Sequence, residues 1–469
     1  MSTPLDFANI QGDILEGLPK KYQTFLFFVI ADATEFRHRL TDIIPLITTT
    51  VQVQADMNAI NEHKAKGHTG LLKLVGTNIA FSHSGLSALG IDPTTLGDSL
   101  FTNGQLVDAS AGAAGLSDPG PIVGSGTDPA WDPDFKKQID GCILITGESQ
   151  QTISERLLEI ETKLAGTVKT IKELNGNVRP GDQAGHEHFG FQDGLSQPPI
   201  IGFRTPNTGE QPTDPGLILL GEKGDAPLSN ITRPPWAKDS SFLVFRKLQQ
   251  FVPEFNKFLA ENPIPDKNLP PDQGSTLLGA RLVGRWTSGA PIDLDPTVDN
   301  PADGKDPNRA NDFDYSNDLT AQTKCPFTAH LRKTNPRASI VPGLSVVQDN
   351  FRIIRQGIPY GPEVNPDEAE SQTTKFDRGL LFVSYQSDIG KGFHFIQRTW
   401  SNNPDFPNPG SGYDGIIGQD IFNQRTTTGM DPENVSTSLA LPKQAFVIPL
   451  GGEYFLSPSI SALKTVFAA

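Results

Sequence analysis

Cysteine is nearly absent: Cys142 and Cys325 are the two in 469 residues, too few for a disulfide framework or a thiolate metal cluster. Cys142, inside Gly141-Cys142-Ile143-Leu144-Ile145, reads as a buried free thiol, and Cys325 as packing. No apolar run approaches the roughly 20 residues of a membrane-spanning helix, which excludes a membrane protein of that kind. The opening Met1-Ser2-Thr3-Pro4-Leu5-Asp6 lacks the basic start and apolar stretch of a signal peptide, leaving a cytoplasmic protein or a secreted one that begins at its mature end. Positive charge is also short. With 39 Lys and Arg against 54 Asp and Glu the formal charge is −15, a surface that repels phosphate backbones and argues against a nucleic-acid partner. What the chain has in quantity is phenylalanine, 28 residues within a hydrophobic fraction of 36%, enough for a sizeable core and, by length, for two or three domains.

Phe and β-branched residues concentrate in 24–30, 71–81 and 141–147, which read as strands. Between and after them, Phe36, Leu40, Ile43, Ile44 and Ile47, then Ile153, Leu157, Leu158, Ile160 and Leu164, recur at helical spacing. A similar pattern returns as a strand at 241–245, a helix at 251–261 and a strand at 379–386. This order predicts an α+β architecture of antiparallel sheets with peripheral helices. The Pro-, Gly- and Thr-rich stretch 197–212 reads as a connector, dividing 1–205 from 206–469. Residues 287–318 carry eight aspartates, Asp293 and Asp318 among them, and read as a solvated acidic loop without the spacing of a Ca²⁺ site.

Three segments carry chemistry. His188-Phe189-Gly190-Phe191-Gln192-Asp193-Gly194 sets one carboxylate between two glycines, which predicts Asp193 at a bend in partly apolar space. A carboxyl desolvated there has a raised pKa and can exchange a proton; the competing reading is an ordinary Asp-Gly turn. Ala329-His330-Leu331-Arg332 offers a lone histidine, and Arg355-Gln356-Gly357-Ile358-Pro359-Tyr360 a lone arginine. His330 competes with seven other histidines. His38, His63 and His68 stand in charged contexts, His186 and His188 flank the Asp193 turn, and His394 lies between two Phe as a core residue.

Together with Asn9-Ile10-Gln11-Gly12-Asp13-Ile14-Leu15 and Gly379-Leu380-Leu381-Phe382-Val383-Ser384-Tyr385, these segments resemble, in order, those of the dye-decolorizing peroxidases, especially fungal members. The matches run from residue 9 to Gly452-Glu453-Tyr454-Phe455-Leu456-Ser457-Pro458-Ser459, nearly the whole chain. The resemblance implies two ferredoxin-like domains, each an antiparallel sheet with peripheral helices. Asp193 belongs to the first, and His330, Arg355 and haem b to the second.

It also implies roles. His330 is the iron ligand, its other nitrogen held by Asp414 or, in reserve, Asp420. Asp193 moves protons of hydrogen peroxide, Arg355 stabilises the charge that develops, and Leu380 and Phe382 restrict the pocket to peroxide-sized ligands. Arg332 and Arg337 clamp the haem propionates. A ferryl haem then draws electrons from phenols, dyes and other bulky aromatics through surface aromatics, first Trp400 in its polar context Arg398-Thr399-Trp400-Ser401, then Tyr360. Glu363, Asp367, Glu368 and Glu370 place four carboxylates in eight residues, oxygen donors suited to Mn²⁺ as a further substrate, or else a solvated acidic loop. The resemblance tilts the location to extracellular and leaves monomer or homodimer open. The rivals are a haem-binding or carrier protein, and an oxygenase-type side activity on the same fold. Asp193 and Arg355 together speak against the carrier, which needs neither.

Overall fold

In the first long strand, Tyr22–Ile30, successive side chains point to opposite faces, and both faces are apolar: Phe25 and Phe27 on one, Leu26 and Phe28 on the other. All four are buried, so the strand belongs to a sheet covered on both sides. The computed structural model describes residues 4–265, 271–339 and 351–469. Its main sheet has nine strands: β1 Tyr22–Ile30, β2 Val75–Ser82, β3 Gly141–Gly147, β4 Val168–Asn177, β5 Ser241–Gln250, β6 Ile354–Arg355, β7 Ile358–Tyr360, β8 Gly379–Gln386 and β9 Val447–Ser457.

The order is β4-β1-β3-β2-β9-β5-β8-β6, with β7 also on β8 and every pairing antiparallel. Numbered within each half, both run 4-1-3-2, the ferredoxin-like order. The halves join where β9 meets β2, Phe455 opposite Ser82 and Leu456 opposite Phe81. The far ends approach each other at Gly176, where a Cβ would lie 2.5 Å from Ile358 Cγ2. The strand expected over 71–81 starts at Val75, because Leu71 is 59% exposed and β2 finds its partner Gly147 only from Val75 on.

Alternation along the strands divides the core. Phe25, Phe27, Leu144, Phe245, Val383 and Phe455 meet in the interior. Leu26, Phe28, Phe81 and Ile143 face the helices Ala33–Ile43 and Gln150–Leu164, through Phe36, Leu40, Ile153 and Ile160. On β5 and β8, residues of that outward parity, Arg246, Leu248, Gln250, Leu380 and Phe382, line a large cavity instead. The sheet of the second half thus forms one wall of a pocket whose other wall comes from the segments around His330 and Ile416.

Candidate active site

Asp193 stands where the backbone reverses twice. Gly190 and Gly194 adopt φ of 95° and 77°, left-handed values that a side chain rarely tolerates. The Asp193 amide donates to the Gly185 carbonyl (3.0 Å), and the Gly194 amide donates to Asp193 Oδ1 (2.6 Å). Arg355, at the end of β6, donates from Nη1 to the same Oδ1 at 2.7 Å. Gln197 holds that arginine in place, accepting from its amide and donating to its carbonyl. Nothing in the sequence marks Gln197, because both bonds go to the backbone of a residue 158 positions away.

The expectation of a raised Asp193 pKa is corrected. Burial does push it up, but Arg355 and the Gly194 amide outweigh burial and hold the carboxyl below its ordinary value. The arginine and the amide thus favour the carboxylate form of Asp193.

Across the cavity, His330 opens the short helix His330–Thr334. Its Nδ1 lies 2.8 Å from Asp414 Oδ2, while Asp414 Oδ1 accepts the amides of Ile416 and Ile417. Burial raises the Asp414 pKa, but His330 and these amides bring it below the ordinary carboxylate range. Asp420 is engaged elsewhere, accepting from the Tyr413 hydroxyl. A carboxylate on Nδ1 sets the tautomer in which Nε2 carries its lone pair, the arrangement of a metal-ligating imidazole.

Between these groups lies a cavity of about 580 Å³, within the range of about 300–1,000 Å³ that small-molecule sites occupy. Leu248, Val283, Leu380, Phe382 and Ile416 give it apolar walls. Arg285 and Arg337 line it too, both bonded to Asn311, and neither has a carboxylate partner among the described residues. Burial and the neighbouring Arg337 push Arg285 down to about 9, and Arg337 Nε is buried without an acceptor. Two cations without a carboxylate partner among the described residues, lining an apolar slot with one oriented imidazole, fit an iron porphyrin, which His330 would hold through the iron and the arginines through the propionates. A second cavity of about 410 Å³, lined by Lys20, Arg179 and His186, meets the first at Asp193, Gly194 and Arg355.

Several expectations are corrected. Arg332 does not reach the cavity. Two positions beyond His330, at 3.6 residues per turn, it points to the opposite side of the helix. It is fully buried between the Tyr315 and Phe327 rings and donates to the carbonyls of Asp318 and Cys325. Asp318 is likewise no solvated loop residue. It is 2% exposed and accepts the amides of Thr323, Lys324 and Cys325, anchoring the segment that leads to His330.

Trp400 is 3% exposed and not on the surface: it lies on a π-helical turn, Ile396–Ser401, stacked on Phe406 and edge-on to Phe351 and Phe395. Tyr360 is buried too, donating its hydroxyl to Asp377 while Lys247 sits over its ring.

The four carboxylates read as a Mn²⁺ site do not converge. Glu363 pairs with Arg179, and Glu368 is fully buried against Arg378 and caps the helix Pro366–Ser371, with its pKa lowered to about 2 as these bonds outweigh burial. Asp367 and Glu370 are exposed, and no group of three or more His, Cys, Asp or Glu that could hold a metal ion occurs among the described residues. Nor, among those residues, is any helix long and apolar enough to cross a membrane.

This geometry has known counterparts. A family model described as the DyP dimeric alpha+beta barrel domain matches residues 9–180, and one described as Dyp-type peroxidase, C-terminal, matches residues 284–408. A dye-decolorizing peroxidase of Mycetinis scorodonius is 43% identical over 100% of this chain and 88% of its own. The solved structure of an ancestral D-type dye-decolorizing peroxidase is 55% identical and superposes with a TM-score of 0.93 over the whole of both chains. A dye-decolorizing peroxidase solved in complex with 2,6-dimethoxyphenol is 44% identical, with a TM-score of 0.87 over 99% of this chain and 100% of that one. With these matches spanning the fold and both faces of the cavity, the chain belongs to the dye-decolorizing peroxidases, a family of haem-dependent enzymes.

Proposed function

We propose that the protein uses hydrogen peroxide to oxidise phenols and bulky aromatic dyes at a haem b held by His330. The observation that carries this reading is the opposition of Asp193–Arg355 and His330–Asp414 across one apolar cavity. Bound there, the iron porphyrin supplies the redox centre that takes two oxidising equivalents from peroxide. The chain's own groups do the rest. Asp193 accepts the proton from the near oxygen of peroxide and returns it to the far one, and Arg355 stabilises the negative charge growing on the departing oxygen. Leu380 and Phe382 keep wide molecules from that face, and Arg337, with Arg285, holds the propionates. The halves that share this work divide near residue 205, a boundary supported by the repeated 4-1-3-2 order on either side of it. Export from the cell is carried by family resemblance; Asn230 and Asn434, which open the glycosylation motifs Asn230-Ile231-Thr232 and Asn434-Val435-Ser436, are both exposed.

The test is to load the protein with haem, add peroxide, and follow the haem absorbance and the oxidation of 2,6-dimethoxyphenol. Turnover of that phenol supports the reading. Haem uptake without peroxide turnover would make the protein a carrier.

Trp400 lies buried against the half-buried Phe406 ring. If the indole still relays electrons to dyes, Trp400→Ser should cut turnover of a bulky dye roughly tenfold, about 1.4 kcal/mol in barrier, and spare small phenols. Equal loss on both substrate sizes would give Trp400 a packing role instead.

A further inference from the structure

The indole and phenol groups near the cavity are buried, so the way electrons leave a bulky reductant is decided by which buried aromatic has a route to the surface. Tyr413 has one. It precedes Asp414, the carboxylate on His330, so one peptide unit and one hydrogen bond link it to the imidazole. Its neighbours Ile416 and Ile417 line the cavity. The ring is 7% exposed, and its hydroxyl donates to Asp420 Oδ2 at 2.6 Å.

Asp420 is itself half-buried, and its other oxygen accepts the amides of Phe422 and Asn423 (2.8 and 2.9 Å). That turn pushes Phe422 outward, to 51% exposure. A phenol bonded to a carboxylate can lose its electron and its proton together, whereas a phenol without an acceptor must first become a cation in an apolar site. Tyr360 has the same kind of partner in Asp377, but Lys247 pairs with that carboxylate and sits 5.5 Å from the ring centroid, where its charge opposes removal of an electron. Asp420 makes no ion pair among the described residues; Arg425, the cation that acts on it and on Tyr413, donates instead to the carbonyls of Gly418 and Pro442.

We propose that Tyr413, with Asp420 as its proton acceptor and Phe422 as the contact for the reductant, is an electron-entry site for phenolic substrates on the His330 side of the cavity. The proposal rests on the peroxidase reading above. In the forward step Tyr413 loses one electron toward the centre that peroxide has oxidised, and its hydroxyl proton passes to Asp420. A phenol stacked on Phe422 then returns an electron to Tyr413, Asp420 returns the proton, and the phenol leaves as a radical with release of its own proton. Two such cycles consume one peroxide and yield two waters. Burial, then Asp420, raises the Tyr413 pKa, so the phenol rests protonated with its acceptor in place.

The experiment uses the full haem-loaded chain, made with ring-deuterated tyrosine, mixed with peroxide and frozen for electron paramagnetic resonance. A tyrosyl signal that narrows on deuteration, survives Tyr360→Phe and is lost in Tyr413→Phe supports the proposal. Asp420→Asn, which keeps the ring and the turn but removes the proton acceptor, should diminish the same signal. Phe422→Ser should lower kcat/KM for 2,6-dimethoxyphenol about threefold to tenfold, the scale of one aromatic contact. A tyrosyl signal that persists in Tyr413→Phe, or vanishes in Tyr360→Phe, overturns the site. Unchanged kcat/KM in Phe422→Ser overturns the contact. If the parent protein's haem spectrum does not respond to peroxide at all, the peroxidase reading fails first and takes this one with it; an intact response with the radical elsewhere fails this one alone.

Discussion

His330→Ala should purify folded but without bound haem, its absorbance lacking the Soret band at any ratio of haem to protein seen in the parent. The expectation follows from the site's composition. Apolar walls and two arginines would position a porphyrin, but the one oriented imidazole would make the bond to iron, and among the described residues no second histidine lines that cavity. Added imidazole should restore part of the band by filling the space the side chain left. Full haem content with an unchanged ligand-field spectrum in His330→Ala would show that the ligand is another group. Asp414→Asn is the finer probe. The amide oxygen can still accept from Nδ1–H, so haem should stay, but the loss of charge weakens the imidazole as a donor. A fall of about 10–100-fold in peroxide reactivity is expected, the usual size for the partner of a metal-bound histidine.

The choice between Asp414 and Asp420 shows where sequence reasoning stops. Both aspartates follow Tyr413 closely, and as hydrogen-bond acceptors they look alike along the chain. What separates them is a contact across 84 residues, His330 to Asp414, that no local pattern encodes. The strands were legible for the opposite reason: Phe25, Leu26, Phe27 and Phe28 are apolar on both faces, and a run of that kind needs a covered sheet. The 4-1-3-2 order of each half was not visible in the residues, and the ferredoxin-like halves came with the family resemblance, because pairing β1 with β4 and β5 with β9 joins segments more than 130 positions apart.

Arg332 was misread although helical periodicity gave the means to exclude it. Residues two apart on a helix cannot serve the same pocket. Trp400 was misread because its polar neighbours in sequence, Arg398 and Asn402, turn away to bond Ala113 and Leu116, while the indole turns inward onto Phe406. The cavity cation Arg285 went unnoticed since its significance lies in bonding only carbonyl and amide oxygens, with no carboxylate partner among the described residues, which only three-dimensional structure displays.

Asp193→Asn should slow the peroxide-dependent change in haem absorbance by about 10²–10⁴-fold in rapid mixing, with haem content unchanged. The amide keeps its place beneath Arg355 and Gly194 but cannot carry the proton from one peroxide oxygen to the other. Arg355→Leu should also slow the step, by about 10²–10³-fold, the cost of losing one group that stabilises developing charge. The two variants part in their pH dependence. In the parent, Arg355 and the Gly194 amide hold the Asp193 pKa below the ordinary value, so the base form persists as pH falls and reactivity is lost only once pH drops through that lowered pKa. Removing Arg355 deletes the largest influence that lowers it and leaves burial, which raises it, so the acid limb of the rate profile should move to higher pH. Asp193→Asn has no such carboxyl to titrate, and its residual rate should be flat across the same range. Normal kinetics in either variant would remove that side chain from the mechanism. An acid limb that stays in place in Arg355→Leu would show that the titrating group is not Asp193.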